Sequence, residues 1–144
     1  SQSFKVGWQL FKSLDKRKNI INKSYEIAKE VGLTEYLNFK SENLSYGLQR
    51  QLEIGLAIAN NPSLLLLDEP TAGMSNEETK NIVAMIKKLS SDYSIIIVEH
   101  DMDVIYSLAK KIYVLDSGNL IFQGAPKEVK QSKLVQDRYI GIKQ

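Results

Sequence analysis

Residues 64–67 are four consecutive leucines, and the acidic pair Asp68 and Glu69 follows them directly. A short, continuous apolar run is typical of a strand that a parallel sheet buries on both faces. Similar runs follow at 95–98 and 112–115, and the segments between them have helical periodicity. The order strand, helix, strand, helix, strand predicts an α/β fold in which helices pack on a parallel sheet.

The chain before Pro62 is predicted to be mostly helical. Ser24 is expected to cap a helix over 24–31, and Gly32 to end it in the left-handed conformation. A longer helix is expected over 45–60, where the proline stops it. Two sets of side chains fall on one helical face each: Phe4, Trp8 and Phe11, and Leu48, Leu52, Leu56 and Ala59.

The change of pattern near residue 62 predicts two regions. Residues 1–61 are expected to form most of a helical subdomain, and residues 62–144 part of the α/β core. In the second region, Ser75 and Glu78 have the spacing of a capping box that begins a helix. The turn residues 116–119 predict a β-hairpin further along the chain.

Composition excludes several classes of function. Hydrophobic residues make up 43% of the chain and charged residues 25%, the balance of a soluble globular domain. The net charge of +2 gives no support for a nucleic-acid partner. The chain lacks cysteine, which excludes disulfides and thiolate sites. No apolar run approaches the roughly 20 residues that span a bilayer.

Asp68 and Glu69 are the first candidates for chemistry. Open parallel sheets bind ligands beyond the carboxyl ends of their strands. Two adjacent carboxylates at such an end point in different directions, so one could serve Mg²⁺ through water while the other orients a water molecule. A pair of acidic turn residues without such a function is the alternative.

The segment Leu44-Ser45-Tyr46-Gly47 opens the helix predicted over 45–60. Free backbone N–H groups and the positive end of the helix dipole make such a position an anion site that fits a phosphate. Gly47 allows a close approach of the backbone. By itself, the segment favours the simpler interpretation, a serine N-cap followed by a glycine in the first turn.

His100 is the only histidine, and it follows the apolar run at 95–98. A neutral imidazole at the end of a buried strand could hydrogen-bond a phosphate or a water molecule. A surface histidine without that role is the alternative. One histidine without cysteine gives no support for a metal site built on these residues.

In combination and in this order, the motifs resemble those of the ATP-binding cassette (ABC) ATPases. Leu44–Leu48 resembles the signature motif of that family, and Leu64–Asp68 resembles its Walker B strand. Glu69 resembles the catalytic glutamate, Ala72–Ser75 the D-loop and His100 the switch histidine. The resemblance covers the chain from about Ala28 to the end and implies part of a P-loop NTPase-type nucleotide-binding domain. Residues 62–144 would be the C-terminal half of its α/β catalytic core.

Several stretches resemble the subgroup that serves branched-chain amino acid uptake, and urea and amide importers look similar. These stretches are LSYG, LEIGLAIA, DEPTAGM, VEHDMDVI and RYIG. Tyr46, Leu48 and Ser75 stand where the wider family commonly has glycine, glutamine and aspartate, and the tyrosine fits the subgroup.

The resemblance implies a role for each matching residue. Asp68 would hold Mg²⁺ through water, and Glu69 would polarise the attacking water as general base. His100 would contact the γ-phosphate of ATP. Ser45 and Gly47 would bind the γ-phosphate of ATP held by a second subunit. The full set of residues that would contact this ATP is Leu44, Ser45, Tyr46, Gly47 and Ser75.

One motif of the family is missing from this sequence. No glycine is followed directly by a lysine, so the 144 residues contain no P-loop of the form G-x-x-x-x-G-K-[ST]. The resemblance therefore predicts the C-terminal part of an ABC ATPase. We expect the isolated chain not to hydrolyse ATP.

For the parent protein, the resemblance implies an ATPase subunit that energises an importer and uses ATP and Mg²⁺. The expected partners are a second ABC ATPase subunit arranged head to tail, transmembrane permease subunits and, indirectly, an extracytoplasmic solute-binding protein. The expected location is cytoplasmic, on the inner face of the cell membrane. A non-catalytic interaction module that keeps the ABC fold is the alternative. Soluble ABC proteins of chromosome maintenance or translation are a narrower one, and no heptad run supports it.

Overall fold

The computed structural model describes residues 17–140. The chain divides between Ile97 and Val98 into two compact units, so the last residue of the strand Ser94–Val98 belongs to the second. The elements of the first unit, in chain order, are α1 (17–30), two 3₁₀ turns (Thr34–Tyr36 and Ser41–Asn43), α2 (Tyr46–Ile58), β1 (Leu64–Asp68), α3 (Asn76–Leu89) and β2 (Ser94–Val98). The predicted division at residue 62 falls inside this unit and stays a prediction. The aromatic stripe predicted at Phe4, Trp8 and Phe11 lies outside the described residues.

Helix α1 is longer than its predicted counterpart. Ser24 lies in its interior, so the prediction that this serine caps a helix over 24–31 is wrong. The preceding residues contain no glycine or proline from residue 17 onward, and nothing local interrupts the helix there. Gly32 has φ 75°, which confirms the predicted left-handed end.

Helix α2 begins as the sequence predicts but buries a different face. The Ser45 hydroxyl accepts a hydrogen bond from the backbone N–H of Leu48 at 3.4 Å and caps the first turn. The buried residues of the helix are Gly47, Ile54, Gly55 and Ile58. Leu56, on the predicted apolar face, is 67% exposed. The face toward α1 carries Gly55, where an added methyl group would lie 3.2 Å from Val31, so a small residue permits the close packing of the two helices.

Helix α3 agrees with its predicted start. Ser75 and Glu78 form both hydrogen bonds of a capping box, and Glu77 and Glu78 place negative charge in the first turn. The predicted apolar face is buried, and its members are Ile82, Ile86 and Leu89.

Strands β1 and β2 pair with one another, and α3 connects them in the order of a parallel βαβ unit. Leu65 and Leu67 are buried, whereas Leu64 and Leu66 are exposed, the latter at 68%. The prediction that this strand is buried on both faces is therefore wrong for the structure described. Successive side chains of a strand point to opposite faces, and the described part of this unit covers only one of them.

The second unit holds α4 (Met102–Leu108), β3 (Ile112–Asp116), β4 (Asn119–Gly124), α5 (Pro126–Gln131), α6 (Lys133–Val135) and a π-helical turn (Gln136–Ile140). Strands β3 and β4 form an antiparallel hairpin, which confirms the predicted turn over 116–119. One buried cluster of this unit contains four aliphatic side chains: Ile112, Val114, Val129 and Val135. Among the described helices, none is long and apolar enough to cross a membrane.

The exposed face of the first sheet leads to a prediction about association. Leu64, Leu66 and Ile96 present apolar side chains to solvent on strands, and such surfaces promote contact between molecules. We expect the purified chain to self-associate and Leu66→Lys to shift it toward monomer, as measured by light scattering at several concentrations.

Leu56→Lys is the matched control, because Leu56 has nearly the same exposed fraction but lies on a helix. If the unaltered chain is a monodisperse monomer, or if both variants act alike, the sheet face is not the cause of association.

Candidate functional site

The predicted carboxylates lie where β1 ends. Asp68 is the last residue of the strand, and both Asp68 and Glu69 are exposed. Glu69 has φ 41°, in the left-handed region that residues other than glycine rarely adopt. Ala72 donates its backbone N–H to the carbonyl of Glu69 at 3.1 Å, closing a tight turn. The Glu69 side chain is thus placed by an unusual backbone conformation directly after a paired strand.

Arg50 of α2 contacts this turn. Its Nη2 donates to the carbonyl oxygens of Asp68 and Glu69 at 2.8 and 3.1 Å. Its Nη1 donates to the Glu53 carboxylate at 2.8 Å, one helical turn further on. These contacts are not evident from the sequence, since an arginine three residues before a glutamate on a helix indicates only a surface ion pair.

The start of α2 carries the residues of the predicted anion site. Ser45 caps the helix, and the backbone N–H of Gly47 donates to Oε1 of Glu78 at 3.2 Å. Leu44 is half-buried, and its carbonyl accepts from Nε2 of Gln49 at 3.1 Å. Tyr46 is exposed. Glycine suits this position, because an added Cβ would lie 3.0 Å from the same Glu78 oxygen and would crowd that side chain.

Glu78 joins the starts of two helices through one carboxylate. Its Oε2 accepts from the backbone N–H of Ser75 at 3.1 Å and from the Ser75 hydroxyl at 2.8 Å, while Oε1 takes the Gly47 N–H. The Ser75 backbone bond, then the Ser75 hydroxyl and then the Gly47 N–H lower the pKa of Glu78 below its ordinary value of 4.5. The sequence predicted the contact with Ser75 but not the one with Gly47, which lies 31 residues away.

A cavity of about 240 Å³ lies between these two helix starts. Three of the predicted nucleotide contacts line it: Ser45, Gly47 and Ser75. Glu78 and Asn81 line it as well. The structure therefore brings the signature-like and D-loop-like segments to one concave site, whose donors include a helix N-terminus suited to anions.

His100 belongs to the second unit. Its backbone N–H donates to the Glu99 carboxylate at 3.1 Å, and its Nδ1 lies 3.9 Å from the same carboxylate oxygen. The imidazole is 72% exposed, whereas the Glu99 side chain is 1% exposed. A buried carboxylate thus lies beside the exposed ring, and its hydrogen bond is to the backbone N–H of His100.

The donor set fits a magnesium ion that arrives with phosphates rather than one held by the protein alone. Between residues 17 and 140, no three His, Cys, Asp or Glu side chains form a ligand cluster. Asp68 is an exposed carboxylate at a strand end. Mg²⁺ usually keeps several waters and takes one or two carboxylates in addition to substrate phosphates, and Asp68 can supply one of these.

Comparison with known proteins identifies relatives of the chain. A sequence profile of the ABC transporter family matches residues 5–72. The branched-chain amino acid transport ATP-binding protein BraF of Pseudomonas aeruginosa is 37% identical over 114 residues, which are 78% of this chain and 45% of BraF. The corresponding protein LivG of Salmonella typhimurium is 36% identical over 113 residues, 77% of this chain and 44% of LivG.

The fold is similar to that of a solved ATP-binding cassette. The ADP conformation of MJ1267, an ATP-binding cassette of an ABC transporter, superposes with a TM-score of 0.77 at 27% sequence identity, covering 85% of this chain and 50% of that one. The chain therefore spans about half the length of the relatives it matches.

The Glu78 contacts predict a pH dependence of stability. Because folding lowers the pKa of Glu78 below 4.5, its ionised form stabilises the native state fully above that pH. The stabilisation is lost as the pH falls through the folded-state pKa. We expect Glu78→Gln to lower the urea midpoint at pH 7 and to lower it less at pH 3, measured by circular dichroism.

Glu77→Gln is the control, since Glu77 is the adjacent acidic residue of the same helical turn, whereas the carboxylate of Glu78 accepts the three hydrogen bonds. A Glu78→Gln effect that is equal at both pH values would contradict the proposed contribution of the ionised carboxylate.

Proposed function

Because the chain belongs to the ABC transporter ATPase family, we propose that it is part of an ATP-hydrolysing subunit that energises import of branched-chain amino acids. The solute is inferred from the names of BraF and LivG. The observation that carries the ATPase proposal is the cavity shared by Ser45, Gly47 and Ser75. These residues come from two separate motifs, and a nucleotide-binding role accounts for their meeting at one site.

In this proposal, the cavity receives the phosphates of ATP held by a second subunit. The Ser45 hydroxyl and the Gly47 N–H lie at the positive end of α2 and would donate to the γ-phosphate. Leu44, Tyr46 and Ser75 would contribute the surrounding contacts. The Glu78 carboxylate now accepts from Gly47, so an incoming phosphate would replace one anion by another at that donor.

The chemistry of hydrolysis is assigned to the ends of the two strands. Asp68 would hold hydrated Mg²⁺, which neutralises charge on the phosphates when it is bound. Glu69 would accept a proton from the attacking water as general base. His100 would donate a hydrogen bond to the γ-phosphate from its exposed ring. Asp68 is the last residue of β1 and Glu69 the first after it, while His100 is the second residue after β2.

The proposed assembly pairs this subunit with a second ATPase subunit, head to tail, on permease subunits that receive solute from an extracytoplasmic binding protein. The proposed location is the cytoplasmic face of the membrane. A non-catalytic interaction module with the same fold is the second candidate. A P-loop encoded upstream of Ser1 in the same reading frame would support the ATPase, and a reading frame that lacks one would support the module.

The isolated chain itself should not turn over ATP. The phosphate cradle of a P-loop is missing from the sequence, and most of the binding energy for the nucleotide is expected to reside there. We expect release of inorganic phosphate from Mg-ATP to equal the blank. Turnover above the blank that Glu69→Gln abolishes would overturn this prediction.

The parent protein tests the proposed function directly. Assembled with its permease in liposomes, it should couple ATP hydrolysis to leucine uptake, and Glu69→Gln should lower turnover by about a hundredfold or more, because a general base is lost. Glu35→Gln, an exposed change on a 3₁₀ turn, is the control. A parent whose turnover survives Glu69→Gln would contradict the assigned base.

A further inference from the structure

We propose that Arg50 is the positioning residue for Glu69: its guanidinium holds the turn that aims this carboxylate. The catalytic consequence rests on the proposed function, because that function assigns Glu69 its role. The structural part concerns the conformation of the turn and stands on the contacts of Arg50 alone.

The turn after β1 holds Glu69 in an unfavourable backbone conformation. Glu69 has φ 41°, and its side chain makes this left-handed conformation unfavourable. A residue stays in such a conformation only where the surrounding structure over-determines it. The Ala72 N–H on the Glu69 carbonyl supplies one restraint from within the turn.

Arg50 restrains the turn from outside it. A single nitrogen of Arg50 reaches the carbonyls of two successive residues, Asp68 and Glu69, at 2.8 and 3.1 Å. The two carbonyls belong to the peptide groups on either side of the Glu69 Cα. Fixing both oxygens restricts φ and ψ of Glu69, and therefore the direction of its side chain.

The contacts of residue 50 require the geometry of an arginine side chain. The guanidinium is planar, with donors in a fixed fork, so the bond from Nη1 to Glu53 orients the plane that Nη2 presents to the carbonyls. A lysine has one nitrogen and no such plane. Arg50 is also only 28% exposed along its side chain, which limits its alternative conformations.

The position of Arg50 on α2 connects the proposed phosphate site with the turn at Glu69. It lies one turn after Gly47, on the helix whose start forms the proposed phosphate site. A movement of α2 is therefore transmitted by two hydrogen bonds to the backbone of the proposed general base. Contact of one subunit with the nucleotide of the other would in this way bear on the catalytic carboxylate of its own chain.

The structural test is made on the isotopically labelled chain by NMR. The ¹³Cα and ¹³Cβ shifts of Glu69 and its amide-to-Hα coupling report the left-handed conformation. We expect Arg50→Met, which keeps the apolar stem but removes the donors, to move these values toward those of an ordinary extended or helical residue. Glu53→Gln should preserve them, because glutamine keeps an oxygen that can accept from Nη1 and the donors to the two carbonyls are unchanged.

A second pair of variants covers the case in which Arg50→Met does not fold. Glycine adopts positive φ freely, so Glu69→Gly should reduce the loss of urea midpoint that Arg50→Met causes, and the double variant should fold. Arg50→Lys should give intermediate Glu69 shifts. If the Glu69 shifts of Arg50→Met, or of Arg50→Lys where only that variant folds, equal those of the unaltered chain, the proposal is overturned.

The catalytic test uses the parent protein. Arg50→Met should lower kcat for ATP by about tenfold to a hundredfold while KM changes by less than about twofold, since the contact positions a reacting group rather than the nucleotide. An unchanged kcat would overturn the catalytic part. A parent that lacks ATPase activity even when unaltered would instead defeat the proposed function, and the Glu69 shifts would still decide the role of Arg50.

Discussion

The carboxylate of Glu78 is the contact on which the arrangement of the candidate site depends. Two helices begin within hydrogen-bonding distance of it, and each presents N–H groups that have no partner within its own helix. An anion at this point satisfies donors of α2 and α3 together and lies at the positive end of both helix dipoles. The relative placement of Gly47 and Ser75 follows from that shared acceptor.

Helix α2 extends the arrangement from the anion site to the end of β1. At its start, Gly47 is bonded to Glu78, and one turn later Arg50 is bonded to the carbonyls of Asp68 and Glu69. The helix thus has fixed contacts with both segments that the family resemblance assigns to nucleotide chemistry. Each of these bonds joins a backbone group to the side chain of Glu78 or Arg50.

The β1–β2 sheet has one apolar face that the described residues leave exposed. Leu65 and Leu67 pack inward, while Leu64 and Leu66 are exposed in the described structure. The chain spans about half the length of its ABC relatives. A strand rich in leucine on both faces and covered on one is consistent with a segment whose full set of packing partners is larger than these described residues.

The sequence by itself determined the elements whose signals are local. Ser45 and Ser75 mark the helix starts and Gly32 a helix end, because capping depends on atoms within a few residues. The family and the α/β fold were likewise evident from ordered motifs. Only the tertiary structure decided which face of α2 is buried, which face of β1 is covered, and that Arg50 and Glu78 reach partners 18 to 31 residues away. The physical reason is that such contacts depend on how separate elements pack, and no local pattern in the chain records that distance.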